Sequence, residues 1–205
     1  MPIPDADVFP HATGAAAKFV EEHSQPAELT LYGSWFCPYV QVTSIALLEK
    51  GVPLQWKEIN PYHKTQEFLS VSKKGLVPAL HSSGVNLIES NIINEFLDEK
   101  YPSKNSLLPV EPEQRALARI QKDQINKKIH PAFFKTIQSQ SKEEQQQHRK
   151  ELADALKEFA KEINTTKGPF VGGKRLNAVD VALAPWASRA WGEYAQARLE
   201  ELIGL

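Results

Sequence analysis

The sequence predicts an α/β domain followed by an all-helical domain. Strand and helix patterns alternate up to about residue 101, prolines and polar residues cluster between residues 102 and 112, and only helical periodicity follows. We therefore divide the chain into an N-terminal extension (1–28), an α/β domain (29–101), a linker (102–111) and a helical domain (112–205). The composition agrees with this division, because 41% hydrophobic and 24% charged residues are typical of globular domains.

The α/β domain has the order strand, helix, strand, helix, hairpin, helix. The predicted strands are 29–32, 54–59, 75–80 and 85–88, and the predicted helices are 38–50, 65–72 and 90–101. Gly51 suits the end of the first of these helices, and residues 81–84 have the composition of a hairpin turn. A βαβ unit followed by ββα predicts a mixed sheet of four strands with helices on its faces.

The helical domain is predicted from three amphipathic segments. In residues 113–139 the inward-facing apolar stripe is predicted to be Leu117, Ile120, Ile125, Ile129 and Phe133. Pro131 is expected to kink or end that helix, because its ring removes a backbone donor and crowds the preceding turn. Further helices are expected at 142–163 and 178–191, with a terminal amphipathic helix from about residue 193.

Charge and cysteine usage exclude several classes of function. The formal net charge of −1, spread along the chain, gives no basic footprint for nucleic acid or for an anionic membrane. No apolar run approaches the ~20 residues of a membrane span, and the N-terminus lacks the pattern of a signal peptide. The six histidines show no metal-ligand spacing, so we expect no metal. A single cysteine and no targeting segment predict a cytoplasmic protein.

Cys37 is the first candidate catalytic residue. It lies between the first strand and the first helix of the α/β domain, where helix N–H groups favour a thiolate. The alternative is a buried structural cysteine. Val40 stands where a two-cysteine redox motif has its second cysteine, so the predicted chemistry is monothiol and an external thiol must regenerate Cys37.

Two further segments predict a peptide-binding site. Pro78 interrupts a strand pattern, and a cis Val77–Pro78 bond would leave the N–H and C=O of Val77 available to an extended peptide. The alternative is an edge strand with a trans proline. Ser90 is a predicted helix N-cap, and Glu89 beside it is placed to accept a ligand ammonium group. The alternative for Ser90 is a cap with no other role.

Three motifs together carry a family resemblance. Residues 36–39 (Phe-Cys-Pro-Tyr), 75–79 (Gly-Leu-Val-Pro-Ala) and 89–91 (Glu-Ser-Asn) resemble the omega class of cytosolic glutathione transferases, including fungal omega-like members. The resemblance implies a thioredoxin-like N-terminal domain, an all-α C-terminal domain and a homodimer. It also implies a detoxifying enzyme with glutathione as co-substrate.

The resemblance implies roles for individual residues. Cys37 would form a mixed disulfide with glutathione, with Phe36 and Tyr39 beside it. Val77 and Pro78 would hold the cysteinyl part of glutathione, and Glu89 and Ser90 the γ-glutamyl part. Lys64 would contact the glycine end, although a merely solvated lysine is the alternative. Asn177 to Asp180 resemble the family's helix-capping box, in which each side chain satisfies a backbone N–H near the other.

The predicted function is glutathione-dependent thiol transfer and reduction, acting on disulfides, dehydroascorbate or S-glutathionyl adducts. The alternative is a glutathione-linked binding or transport protein for apolar aromatic small molecules, motivated by Trp35, Trp186 and Trp191. A third hypothesis, conjugation of glutathione to electrophiles, would need a hydroxyl from Tyr32, Ser34 or Tyr39. The family usually continues for several helices beyond the segment resembling 179–191, so either a stretch near Trp191–Gly192 is missing or the chain is truncated.

Overall fold

The computed structural model describes residues 11–102, 105–163 and 168–203, with side chains up to residue 190. The described chain divides between Ser106 and Leu107 into two compact units. The elements of the first unit are α1 (Gly14–Glu22), β1 (Leu29–Gly33), α2 (Pro38–Lys50), β2 (Leu54–Glu58), α3 (Gln66–Val71), β3 (Ala79–Ser82), β4 (Val85–Ile88) and α4 (Ser90–Lys100). The predicted α/β fold of this unit is confirmed.

One sheet organises the first unit. Its strand order is β2-β1-β3-β4, with β1 parallel to β2 and antiparallel to β3, and β3 antiparallel to β4. Every residue of β1 is buried, and α2 packs against α4. The residues with no exposed surface in this core include Leu29, Leu31, Ala46, Leu47, Leu80, Ile93 and Leu97. Burying large aliphatic side chains from strands and helices together is what stabilises such a layered unit.

The β3–β4 hairpin differs from its prediction. β3 begins at Ala79 instead of residue 75, and it extends through Ser82, so the turn consists of Ser83 and Gly84. The ladder begins after Pro78 because proline has no backbone N–H to donate. Ser83 and Gly84 have φ angles of 49° and 81°, the left-handed backbone that tight hairpin turns need.

The N-terminal segment covers the outer edge of β2. The N–H of Trp56 donates to the carbonyl of His23 at 2.7 Å, and the rings of Phe19 and Trp56 meet edge to face at 5.4 Å. At the other end of the segment, the N–H of Ala12 donates to Glu58 at 2.7 Å. Residues 11–23 therefore use both backbone and aromatic contacts to hold this strand edge.

The second unit is helical among its described residues. It contains α5 (Pro112–Gln124), a π-helical turn (Ile125–Ile129), α6 (His130–Gln138), α7 (Lys142–Ile163) and α8 (Ala178–Ile203). The helix does not end at Pro131: the chain stays helical from residue 112 to residue 138, and the irregularity next to Pro131 is a π turn over Ile125–Ile129. α8 is continuous through Trp191 and Gly192, so the separate terminal helix predicted from residue 193 is wrong. The missing stretch near Trp191 stays a prediction, and the side chain of Trp191 lies outside the described residues.

The apolar stripe that was predicted to face inward in residues 113–139 is partly wrong. Leu117 and Ile120 are 50% and 56% exposed, and Ala118 and Lys122 are buried in their place. Ile125, Ile129 and Phe133 are buried as predicted. The π turn adds a residue to one helical turn, so a stripe with a constant 3.6-residue period cannot stay in phase on both sides of it.

The capping box at the start of α8 is confirmed. The side-chain oxygen of Asn177 accepts from the N–H groups of Val179 and Asp180 at 2.8 and 3.2 Å, and Asp180 accepts from the N–H of Asn177 at 2.9 Å. Asp180 also accepts from the N–H of Val171 at 2.9 Å, so one carboxylate fixes the helix start and the preceding loop.

Candidate active site around Cys37

The register of the sheet brings the predicted site segments to one end of the first unit. Gly33 at the end of β1 pairs with Glu58 at the end of β2, and Tyr32 pairs with Ala79 at the start of β3. Ala79 in turn pairs with Ile88, the last residue of β4. The loop to Cys37, the loop after β2, the Val77–Pro78 segment and Glu89 therefore all leave the sheet at the same end.

Cys37 is the N-cap residue of α2. Its backbone is extended, with φ −74° and ψ 120°, and Pro38 occupies the first turn of the helix. The N–H of Cys37 donates to Ser34 at 3.0 Å, and its carbonyl accepts from the N–H of Gln41 at 3.1 Å. Cys37 is half-buried and forms no disulfide, so it is not sealed in the core as the structural alternative requires. A thiol at a helix N-terminus is in the electrostatic environment that favours its anion.

The loop before Cys37 is held by the end of β2. Ser34 is buried, and its hydroxyl donates to the carbonyl of Ile59. The N–H of Ile59 donates back to the carbonyl of Gly33 at 3.0 Å. This reciprocal pair fixes the path of the chain from β1 into Cys37. Because the Ser34 hydroxyl donates its proton to the Ile59 carbonyl, Ser34 is less suitable as a catalytic group for glutathione conjugation.

Tyr39 lies one helical position beyond Pro38 and interacts electrostatically with Cys37. Burial raises the pKa of its phenol, and the negative charge of Cys37 raises it further. The phenol therefore stays protonated at neutral pH. The ionisation of the two side chains is therefore coupled electrostatically.

Aromatic rings surround the residue before Cys37. The rings of Phe36 and Trp35 meet edge to face at 5.6 Å, and those of Phe36 and Tyr62 are nearly parallel, 11° apart, with centroids 6.5 Å apart. The sequence analysis did not single out Tyr62. Its only signal was a large aromatic residue in an otherwise polar loop, beside Pro61.

The Val77–Pro78 peptide bond is cis, which confirms the prediction. Within the described residues, the N–H and C=O of Val77 make no hydrogen bond. Buried Ser72 anchors the preceding loop, because its hydroxyl accepts from the N–H of Leu76 at 3.1 Å and its carbonyl accepts from the N–H of Gly75 at 2.7 Å. Ser72 is a second residue that the sequence analysis missed.

Lys64 lies against this loop. A Cβ atom built on Gly75 would lie 2.6 Å from Cδ and 3.1 Å from Nζ of Lys64, and Gly75 has a left-handed φ of 62°. A larger residue at position 75 would displace the end of the Lys64 side chain, and glycine adopts this left-handed backbone most readily. Lys64 therefore lies close to Gly75, two residues before Val77, and its contact with the glycine end of glutathione stays a prediction.

Ser90 is the first residue of α4, and Glu89 is the N-cap, so the prediction of Ser90 as cap is wrong. Glu89 turns the chain into the helix with a φ of 71°, uncommon for a residue with a side chain. Its carbonyl accepts from the N–H of Ile93 at 2.9 Å. Its exposed carboxylate makes no hydrogen bond within the described chain. Left-handed backbone at a non-glycine residue is often found at ligand sites.

The described residues offer neither a metal site nor a membrane-spanning helix. No group of three or more His, Cys, Asp or Glu side chains in the described chain is arranged to hold a metal ion. None of the helices described is both long enough and apolar enough to cross a membrane.

Comparison with known proteins agrees with this arrangement. Residues 31–105 match the family model of the glutathione S-transferase N-terminal domain. The chain is 32% identical to glutathione S-transferase 3 of Glycine max over 179 residues, 85% of this chain and 80% of that protein. It is 31% identical to glutathione S-transferase omega-1 of Sus scrofa over 162 residues, 78% of this chain but 66% of that protein. The solved structure of glutathione transferase Omega 3C from Trametes versicolor superposes with a TM-score of 0.81 and 43% identity, covering 88% of this chain and 81% of that one.

Proposed function

Because the chain belongs to the glutathione transferase family, as an omega-like member with a thioredoxin-like first domain and a helical second domain, we propose that it catalyses glutathione-dependent thiol transfer through Cys37. The observation that carries the proposal is the position of the chain's single cysteine, half-buried at the N-terminus of α2. The hydroxyls that would serve a conjugating enzyme are less suitable. Tyr32 and Ser34 are buried, and the raised pKa of Tyr39 disfavours its anion.

The glutathione site would use the segments at the same end of the sheet. The backbone of Val77 would pair with the cysteinyl part, as an added strand does. The carboxylate of Glu89 would accept the ammonium of the γ-glutamyl part, and the N–H groups at the start of α4, beginning with Ser90, would bind its carboxylate. Lys64 would pair with the carboxylate of the glycine end. Each proposed role uses a group from a segment that leaves the sheet at the same end as the loop to Cys37.

The reaction would proceed in two exchanges. The Cys37 thiolate attacks the glutathionyl sulfur of a mixed disulfide, a bond forms between the two sulfurs, and the other thiolate leaves with the electron pair of the broken bond. A glutathione thiolate then attacks the glutathionyl sulfur on Cys37, which releases oxidised glutathione and restores the Cys37 thiolate. Holding both partners in one site supplies much of the rate by proximity. Disulfides, dehydroascorbate and S-glutathionyl adducts are the proposed substrates.

Intact mass after incubation with oxidised glutathione tests this proposal. We expect the protein to gain one glutathionyl group, which reduced glutathione removes, and we expect Cys37→Ser to gain none. The variant should also lose thioltransferase activity. Full activity in Cys37→Ser, or no adduct on the parent protein at neutral pH, would contradict the proposal.

The binding-protein alternative loses one of its supports. Trp186 is 1% exposed, and its ring stacks on His130 with centroids 3.5 Å apart, so it belongs to the core of the second unit. Trp35 remains half-buried at the site beside Phe36. Saturable quenching of tryptophan fluorescence by an aromatic ligand, unchanged in Cys37→Ser, would favour this alternative. A homodimer and a cytoplasmic location are proposed from the family alone.

A further inference from the structure

The loop after β2 places Tyr62 at the surface without using it in the core. Tyr62 is 38% exposed, and within the described chain its hydroxyl has no hydrogen-bond partner. The backbone holds its position: the N–H of Tyr62 donates to the side chain of Asn60 at 2.9 Å, and the N–H of His63 donates to the Asn60 carbonyl at 3.1 Å. The turn therefore holds Tyr62 against Phe36 while part of its side chain stays open to solvent.

The same loop contacts two of the segments proposed to form the site. At one end, Lys64 lies against Gly75, beside the segment proposed to bind glutathione. At the other end, Tyr62 lies parallel to Phe36, the residue before Cys37. Trp35 braces Phe36 from the side. The loop therefore contributes a lysine next to the segment proposed to bind glutathione and an aromatic side chain next to the residue before Cys37.

We propose that Phe36 and Tyr62 form an aromatic wall for the leaving thiol, and that Tyr62 makes the enzyme prefer aromatic over aliphatic glutathionyl mixed disulfides. This inference rests on the proposed function. When the Cys37 thiolate attacks the glutathionyl sulfur, the leaving sulfur lies on the opposite side of that atom from Cys37. Its substituent extends from the glutathione site, and a flat ring there can stack on parallel rings, which aliphatic groups cannot do equally well.

The balanced overall reaction for the aromatic substrate is simple. The mixed disulfide of glutathione and thiophenol reacts with one glutathione to give oxidised glutathione and thiophenol. Cys37 carries the glutathionyl group between the two exchanges, and no other oxidant or reductant is needed. The wall contacts only the thiophenyl group.

The experiment compares two substrates in three proteins. The substrates are the mixed disulfides of glutathione with thiophenol and with 2-mercaptoethanol, and the proteins are the parent, Tyr62→Ala and Tyr62→Phe. We expect Tyr62→Ala to lose roughly three- to tenfold in kcat/KM for the thiophenol substrate, the loss of one aromatic contact, and less than about twofold for the other. Tyr62→Phe should retain the preference. Leu48→Ala, which removes an exposed apolar side chain from α2, is the matched control and should change neither value.

A binding measurement tests the aromatic wall independently of thiol exchange at Cys37. S-phenylglutathione and S-methylglutathione cannot be reduced by thiol exchange, so their dissociation constants, measured by calorimetry, do not depend on the reactivity of Cys37. We expect Tyr62→Ala to weaken S-phenylglutathione binding roughly three- to tenfold and to leave S-methylglutathione binding unchanged, also in a Cys37→Ser background. Equal losses for both ligands, or none, would overturn the aromatic wall. Absence of turnover in the parent with the ligand preference intact would overturn only the proposed function.

Discussion

The ammonium group of Lys50 lies 2.7 Å from the carboxylate of Asp98, with side-chain exposures of 0% and 8%. Lys50 also donates to the carbonyl of Asn105 at 3.1 Å, and Ser106 donates to the other oxygen of Asp98 at 3.1 Å. This buried ion pair joins the end of α2, which begins at Cys37, to α4, which begins beside Glu89. The helices that carry opposite sides of the proposed site therefore share an ionic contact at their far ends.

Breaking this ion pair on one side should destabilise the protein strongly. Lys50→Met leaves the Asp98 carboxylate buried without the opposite charge of Lys50, and we expect a loss of about 3–5 kcal/mol in the free energy of unfolding, measured by urea denaturation. The double variant Lys50→Met/Asp98→Leu should recover much of that loss, because no buried charge remains. The exposed pair Lys57–Glu67, at 3.0 Å, is the control, and Lys57→Met should cost less than about 1 kcal/mol. Similar losses at the two lysines would show that burial does not decide the energy.

His130 should make the protein sensitive to acid. Burial lowers the pKa of its imidazole to about 4, partly opposed by a hydrogen bond to the backbone of Ala182, so the folded protein keeps the ring neutral. Its pKa in the unfolded chain is about 6.5, so stability from this group is complete above that pH and is lost as the pH falls towards 4. The full loss is about 3 kcal/mol.

His130→Phe tests this pH dependence because it retains a ring against Trp186 and does not titrate. We expect the difference in unfolding free energy between parent and variant to shift in favour of the variant between pH 6.5 and pH 4. Parallel pH profiles for the parent and His130→Phe would show that His130 does not contribute.

The two capping-box residues of α8, Asn177 and Asp180, should contribute unequally to the free energy of unfolding. Asn177→Ala removes the side-chain acceptor for the first N–H groups of the helix, and we expect a loss of about 1 kcal/mol in urea unfolding. Asp180→Ala should cost more, because its carboxylate also accepts from the N–H of Val171. Asp154→Ala, on the exposed side of α7, is the control and should leave the midpoint nearly unchanged. Equal effects at Asn177 and Asp180 would mean that the Val171 contact adds no stability.

Gly75→Ala should weaken glutathione binding where Gly84→Ala does not. Both glycines have left-handed φ angles, 62° and 81°, so each alanine should cost about 1–2 kcal/mol in backbone strain. Only at position 75 does the new methyl group meet Lys64, whereas position 84 has nothing within 4 Å. Glutathione affinity by calorimetry reads out the difference. Equal affinities in the two variants would remove Lys64 from the glutathione site.

Local chemistry explains which elements the sequence could predict. α2 runs from Pro38 to Lys50 as predicted, because proline suits the first turn and Gly51 ends the helix with a φ of 58°. The capping box at Asn177 could also be predicted from the sequence, since its hydrogen bonds join residues three apart or closer. In both cases the signal lies within a single turn of chain.

The wrong predictions concern features that depend on backbone conformation or on contacts between residues far apart in the sequence. No side-chain pattern shows that Glu89 has a φ of 71°, so the start of α4 at Ser90 is predicted correctly but its N-cap is predicted one residue too late. The π turn at 125–129 changes the phase of its helix, which is why Leu117 and Ile120 were placed inside. Tyr62 and Ser72 reach the site through loops that only the assembled sheet brings together.

The contact of residues 11–23 with β2 also bears on self-association. A terminal strand with bare backbone groups is a template on which other chains can add strands, and such pairing leads to aggregates. Here the bond between Trp56 and His23, with Phe19 across the indole, occupies one border of the sheet. The N-terminal segment thus covers part of this strand edge, and we expect tags or fusions that displace residues 11–23 to leave β2 open to pairing with other chains.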